Sequence, residues 1–348
     1  MRGTVDRRAL LGRGLGSGLA FAALGGGLAG CARSGAKADE DLGAARSVAF
    51  AIGTPGSDFV HEISLGCADA AEALGWRFTR VLNAQPTPDA HVNAIRQAVT
   101  ARNDVVVTVD WYQAVVEEVA RAQPQGTRFA MVNSLNNAAD MAKYGVPFSG
   151  QNPSDVGRML GARMAQELGR RGTTQGAVLV GNPFPGSLNV EQRIAGIAEG
   201  LKAQPGLRMV SFADGSAADA ATSVALYKAK IRETGEVVGH AAASGEMGAV
   251  PLLKALDELG GPAPLVASTV SSLKMLDFVK QGRVAFALDE NLYMQGFSAV
   301  MLAWSAMERG LAPLQTAPGC TWVEAGNVDA MIAGYRKRKE AAKAHGLS

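Results

Sequence analysis

Leu288-Asp289-Glu290-Asn291-Leu292-Tyr293-Met294-Gln295-Gly296-Phe297 is the stretch on which the reading of this chain turns. The apolar run from Val284 to Leu288 stops at two adjacent carboxylates, and a helical stripe of Met294, Phe297, Met301 and Trp304 follows. A strand that ends in acids just before a helix places those acids at the carboxyl edge of a sheet. Open α/β sheets bind their ligands at that edge. The same pair also suits a helix N-cap, where a short acid satisfies free amides. The neighbouring stretches weigh one reading against the other.

Working outward, strand and helix patterns alternate. Towards the N-terminus lie a helix at Ser272–Lys280, a strand at Pro264–Ser268, a helix at Met247–Leu259 and a strand at Glu236–Ala243. Before these the pattern gives a helix from Ala217 to Thr234, a strand at Arg208–Phe212, a helix around Glu191–Lys202, a strand at Gly176–Val180 and a helix at Ser154–Leu168. An earlier set contains the strands Ser47–Gly53, Arg77–Leu82, Asp104–Val109, Arg128–Val132 and Val146–Ser149. Its helices are Ser57–Leu74, Pro88–Ala101 and Trp111–Ala122. Runs such as SVAFAIG and DVVVTV are apolar throughout, as parallel strands buried on both faces are. Short βα turns keep the units consecutive, so each sheet is doubly wound. After the opening stretch come a helix from Asn291 to Arg309, a short strand at Cys320–Val323 and a last helix from Asn327. The expectation is an α/β chain of two doubly wound parallel-sheet lobes joined by a multi-strand hinge. The N-terminal lobe takes 47–150 plus 291–318, the C-terminal lobe 151–290 plus 319–335, and a basic helical tail 336–348. Arg336-Lys337-Arg338-Lys339 in that tail reads as a solvated helix end.

The first residues read as an address. Arg7-Arg8 lies in a basic head, and no charge occurs between Arg13 and Arg33. This uncharged segment is short and glycine-rich, a poor membrane span and a good export signal. It closes with Leu28-Ala29-Gly30-Cys31, which resembles the lipobox of bacterial lipoproteins. Residues 1–30 are thus expected to be a signal peptide, Cys31 the lipidated residue and 31–46 a tether. The twin arginine resembles a Tat-type signal. Gly25-x-Gly27-x-x-Gly30 has no strand before it and is no nucleotide fingerprint. Arg2, Arg7, Arg8 and Arg13 against Asp6 give the first thirty residues +3, so the chain's +2 leaves about −1 for the remainder. Nothing in that charge suggests a nucleic-acid partner.

The remaining 300 or so residues, in a chain 47% apolar, can bury a large core in two lobes. Cys67 and Cys320 read as two buried thiols, with a disulfide as the alternative in an oxidising compartment. His61, His91, His240 and His345 are scattered without metal-ligand spacing, and no metal or cofactor is expected.

Four stretches together resemble the type I periplasmic binding proteins, in particular the ribose-binding-like substrate-binding subunits of ABC importers. Gly150-Gln151-Asn152 with Gly157 resembles the family's first crossover. Arg193-Ile194-Ala195-Gly196 resembles its Arg-x-x-Gly helix, and Ser244-Gly245-Glu246 sits where an Asn-Asp helix start is usual. Asp289 to Phe297 resembles an Asp-Gln-x-Pro-Tyr-x-Gln-Gly-Tyr crossover. The resemblance spans 47–335 and implies a monomeric two-lobe trap, with a membrane permease as partner and a lipid anchor in the membrane. Departures bear on the ligand. Ser244 replaces an amide, Ser268-Thr269 replace an aromatic and an acid, Glu191 stands where a ligand-binding arginine is usual, and Glu290 and Leu292 replace Gln and Pro.

Sugars and polyols present arrays of hydroxyls and weakly apolar C–H faces. They call for groups that engage two hydroxyls at once and for a flat aromatic. Residues at the expected strand ends supply both: Asp58, Phe59, Asp110, Trp111 and Asn133 in the first lobe, and Phe184, Asn189, Glu191, Ser244, Thr269, Asp289 and Glu290 in the second. Contacts to both lobes favour closure, so Asp110 on one side and Asp289 or Glu290 on the other are expected to matter most. A sugar or polyol leads. The five acids keep an amine-bearing ligand open, a nucleoside-like ligand also stays open, and so does a sensor kinase or chemoreceptor in place of the importer. Ser271-Ser272-Leu273-Lys274 has SxxK spacing without partner motifs, and Gly181 to Ser187 lacks the lysine of a phosphate loop. No nucleophile–base pair points to an enzyme.

Overall fold

The computed structural model describes residues 46–347 except 218 and 271. The expected signal peptide, Cys31, nearly all of the tether and Ser271 lie outside the described residues. Labels follow chain order. The first sheet contains β1 (Ser47–Gly53), β2 (Arg77–Asn83), β3 (Val105–Thr108), β4 (Arg128–Ser134) and β5 (Phe148–Gln151), with a short β11 (Gln315–Thr316). These six strands lie in the order β2-β1-β3-β4-β5-β11, all parallel. The second sheet contains β6 (Gln175–Asn182), β7 (Gly206–Ala213), β8 (Val237–Ala242), β9 (Leu265–Val270), β10 (Phe286–Asp289) and β12 (Thr321–Val323). Its six strands lie in the order β7-β6-β8-β9-β10-β12, and β12 alone runs antiparallel.

Helices cover both sheets. The first lobe carries α1 (Asp58–Ala73), α2 (Pro88–Thr100), α3 (Gln113–Ala122) and α4 (Ala138–Lys143). The second carries α5 (Pro153–Arg170), α6 (Leu188–Leu201), α7 (Ala220–Thr234), α8 (Glu246–Leu259) and α9 (Leu273–Lys280). Then α10 (Leu292–Arg309) returns to pack on α1, and α11 (Val328–Ala344) touches both α9 and α1. The chain therefore changes sheets from β5 into α5, from β10 into α10 and from β11 into β12. Val48, Phe50, Ile52, Val105, Val107 and Val132 form one core with α1 and α10. Val178, Val180, Leu160, Met164 and Ile197 form a core in the second lobe.

Glycines let the crossover helices approach backbone to backbone. A Cβ at Gly66 would overlap the Tyr293 carbonyl, and one at Gly296 the Ile63 carbonyl, so α1 and α10 meet at a pair of glycines. In the second lobe Gly157 faces the Arg193 carbonyl and Gly196 the Ser154 carbonyl, joining α5 to α6 in the same way. Three glycines of the family-like stretches, Gly157, Gly196 and Gly296, are therefore helix-packing positions.

Several local expectations change. Helix α3 starts at Gln113, which leaves Trp111 and Tyr112 in the preceding loop. Strand β5 is displaced to Phe148–Gln151, while α4 and β11 are too short to show a period. Strand β10 includes Asp289. Only part of the basic run is a solvated helix end: Arg336 and Lys337 are exposed without an ion pair among the described residues, whereas the next two residues reach the first lobe. Arg338 pairs with Glu62 of α1, Lys339 Nζ lies 3.3 Å from Asp58 Oδ1, and Arg80 donates to the Leu347 carbonyl at 2.7 Å. Val328, Ile332 and Tyr335 meanwhile belong to a second-lobe core. One unbroken α11 thus straps the second lobe to the first. Cys67 is buried and Cys320 half-buried, and both are free thiols. No helix among the described residues is long and apolar enough to cross a membrane.

Candidate functional site

The carboxyl edges of the two sheets enclose a cleft of about 760 Å³. Each wall is built from loops leaving strands. After β1 come Asp58 and Phe59; after β3 comes Trp111; Asn133 is the penultimate residue of β4. Opposite them stand Phe184 and Asn189 after β6, Ser244 after β8, Thr269 on β9 and Glu290 after β10. Nine of the twelve expected residues therefore meet in one place.

The first wall is aromatic. Phe59 and Trp111 have ring centroids 5.7 Å apart at 36°, and the Trp111 indole donates to Asn133 Oδ1 at 3.1 Å. Asn133 has φ +72°, a left-handed conformation that asparagine tolerates better than most residues. The indole bond fixes its Oδ1, and its Nδ2 donates to no protein group among the described residues. On the second wall Asn189 Oδ1 accepts from Ser187 Oγ at 2.7 Å, again leaving the amide nitrogen uncommitted. The Ser244 hydroxyl and Arg193 Nε are buried without a protein partner.

Charge is arranged differently. The ionisable carboxylates and amines lining the cleft are Asp58, Glu246 and Glu290 against Arg193, Lys274 and Lys339. They pair among themselves. Arg193 spans both Glu290 oxygens at 2.8 and 3.0 Å and donates to the Ala243 carbonyl at 2.8 Å. Lys274 lies 3.4 Å from Glu246, and Lys339 3.3 Å from Asp58. Asp58 also accepts from the Leu273 amide at 3.1 Å, a contact from α1 to α9 across the mouth. Burial pushes the Glu290 carboxyl above its ordinary range, against the pull of Arg193.

Three expected residues stand elsewhere. Asp110 is fully buried and accepts from the Asn136 and Asn137 amides at 2.9 Å and from Asn136 Nδ2 at 3.0 Å, so it holds the 134–137 turn. Burial pushes its carboxyl up to about 6. Asp289 is buried and accepts from the Asn291 amide at 2.9 Å, which carries the backbone through the left-handed Asn291 (φ +53°) into α10. Glu191 is exposed and accepts from the Gly186 amide at 2.7 Å, closing the turn that presents Phe184. A carboxylate beside free backbone amides is drawn to them, and that local bond outcompetes a place in the cleft.

Arg193 and Lys339 also line the cleft, although neither is among the twelve expected residues. The signal for Arg193 was available: an acid in an apolar strand-to-helix crossover needs a cation, and the Arg-x-x-Gly helix supplies one. Lys339 gave none, because its helix reaches the cleft only through tertiary packing.

A family model described as periplasmic binding protein domain matches residues 48–311. Comparison with curated proteins gives no match. Among solved structures, an ABC transporter solute-binding protein from Burkholderia graminis in complex with D-arabinose superposes with TM-score 0.69 at 22% identity, covering 81% of this chain and 96% of its own. One from Agrobacterium vitis bound with α-D-tagatopyranose has TM-score 0.73 at 18% identity, covering 83% and 98%. A carbohydrate transporter structure from Acidothermus cellulolyticus in complex with myo-inositol has TM-score 0.72 at 18% identity, covering 85% and 99%.

Proposed function

The chain belongs to the periplasmic binding protein domain family, with the two-lobe type I fold, and from that premise we propose that it is an extracytoplasmic solute-binding lipoprotein for an uncharged, hydroxyl-rich ligand, a sugar or polyol. The observation that carries the ligand class is the division of labour in the cleft. Every acidic or basic side chain there has an opposite charge beside it, while the amides of Asn133 and Asn189 and the hydroxyl of Ser244 remain uncommitted. A cationic ligand seated on Glu290 would have to displace Arg193, whose side chain and partner are 7% and 6% exposed, and leave that guanidinium desolvated. Neutral hydroxyls need only the uncommitted groups, with Phe59, Trp111 and Phe184 against their C–H faces. The sugars and the polyol in the three structural relatives are of this class.

The mechanism is a hinged trap. Ligand bridging Asn133 and Trp111 on one lobe to Asn189 and Ser244 on the other stabilises the closed arrangement, because only contacts to both lobes shift the population. An ABC permease then recognises the closed shape and takes the ligand, and the lipid on Cys31 keeps the protein at the membrane.

Two measurements test this reading. Protein purified from its native envelope, denatured and analysed by mass spectrometry, should release a neutral polyhydroxylated compound; recovery of an amine or an acid instead would overturn the ligand class. Cys31→Ser should leave the membrane fraction without a diacylglyceryl mass, and a lipid retained by that variant would overturn the anchor.

A further inference from the structure

Opposite the cleft, the amino edge of the first sheet carries an arginine at the start of each of four adjacent strands. Arg77 opens β2, Arg46 precedes β1, Arg102 precedes β3 and Arg128 opens β4. Backbone bonds tie this row together: the Arg77 amide donates to the Arg46 carbonyl at 2.8 Å, and the Arg128 amide to the Asp104 carbonyl at 2.9 Å. Neighbouring strands lie about 4.8 Å apart, so the row spans roughly 15 Å. Carboxylates near it are already engaged. Arg46 takes Asp104 and Glu308, and the buried Glu118 takes Arg96 and Arg121. Arg77, Arg102 and Arg128 are exposed and pair with no carboxylate among the described residues. Beside them is a groove of about 550 Å³ lined by Arg96, Arg102 and Arg121. At the corresponding edge of the second lobe Arg170 and Arg171 are matched by Glu167, Lys202 by Glu199 and Arg283 by Asp257, which leaves Arg208 and Arg232 as exposed arginines without a carboxylate partner among the described residues and on no continuous row of strand starts.

The chain enters the fold at this same edge. Cys31 and Arg46 are fifteen positions apart, a reach of at most about 50 Å. Resting on the lipoprotein reading above, the geometry points to a membrane-facing surface: the arginine row binds anionic phospholipid headgroups of the bilayer that holds the anchor. Guanidinium groups match phosphate in two-point geometry, and juxtamembrane cations are drawn to anionic leaflets within a Debye length. The cleft lies at the other end of the strands and faces away from the lipid.

The test uses the full chain carrying Cys31→Ser, which cannot take the lipid, in flotation with vesicles of phosphatidylcholine alone or with 30% phosphatidylglycerol. The comparison is with the same chain carrying Arg77→Gln, Arg102→Asn and Arg128→Gln; the leader is common to both. Phosphatidylglycerol should enhance binding of the parent, and removing three charges should weaken that binding on the order of a hundredfold. The matching triple lysine variant keeps the charges but not the two-point geometry, so it should bind below the parent and well above the neutral triple variant, which separates charge from folding. Equal binding by parent and triple variant, or binding indifferent to phosphatidylglycerol, overturns the proposal. So does a triple variant that keeps vesicle binding but loses the permease, which would assign the row to a protein. Mass spectrometry of Cys31 in the unsubstituted protein reports on the anchor separately.

Discussion

Arg193→Ala would leave Glu290 alone in the wall of the cleft. In the parent the guanidinium holds both carboxylate oxygens, and the two side chains are 7% and 6% exposed. Removing one member of so buried a pair strands a desolvated charge, at a cost of about 3–5 kcal/mol. For about 300 folded residues that is a fall in Tm of roughly 5–8 °C. The carboxyl escapes by taking a proton. Burial already raises its pKa, and losing Arg193 raises it further. A folded pKa above the unfolded one means the folded state holds the proton more tightly, so the deficit shrinks as pH falls. Differential scanning calorimetry of parent and variant at pH 8 and pH 5 should show a large gap at pH 8 that mostly closes at pH 5. Glu290→Gln with Arg193→Met, which removes both charges, should recover most of the loss at pH 8. Equal gaps at the two pH values, or none at pH 8, would refute the buried pair and with it the charge balance of the cleft.

Glu62 gives a second pH dependence. Burial pushes its carboxyl to about 7, beyond what Arg338 pulls back. Its contribution is therefore greatest below about 4.5 and declines by at most about 3 kcal/mol as pH rises to about 7; Glu62→Gln should flatten Tm over that window. Gly66→Ala forces a Cβ onto the Tyr293 carbonyl between α1 and α10, and should cost more than the usual 1–3 kcal/mol of overpacking in a denaturant titration. Asp110→Ala should lower stability by about 1–3 kcal/mol, through the two amides it leaves unbonded, and change ligand affinity little. An affinity loss without a stability loss would return Asp110 to the cleft.

The repeated units were legible because parallel strands buried on both faces have no period to hide. Seven consecutive buried residues in β1 read as one apolar run. The helix-crossing glycines were visible as motifs, although their packing role needed the partner carbonyls. Strand-end position identified the aromatics and amides of the cleft, since side chains leaving the carboxyl edge have few other places to go. It misplaced Asp110, Asp289 and Glu191 because a short acid beside free backbone amides has two outcomes that look identical in sequence. The role of α11 was hidden for another reason: Arg338 and Glu62 are 276 positions apart, and no local pattern encodes their meeting. The stretch Asp289-Glu290 divides accordingly, with Asp289 holding the backbone into α10 and Glu290 paired to Arg193 in the cleft wall.

The most direct measurement of the central claim is a thermal-shift panel comparing neutral sugars and polyols with amino sugars, sugar acids and polyamines, run on the parent and on Trp111→Ala. A ligand that binds only the folded state raises Tm by mass action. At least one neutral compound should raise the parent's Tm by several degrees and lose most of that shift in Trp111→Ala. Stabilisation by charged compounds alone, or a neutral shift indifferent to Trp111, would contradict an uncharged ligand seated on this aromatic wall.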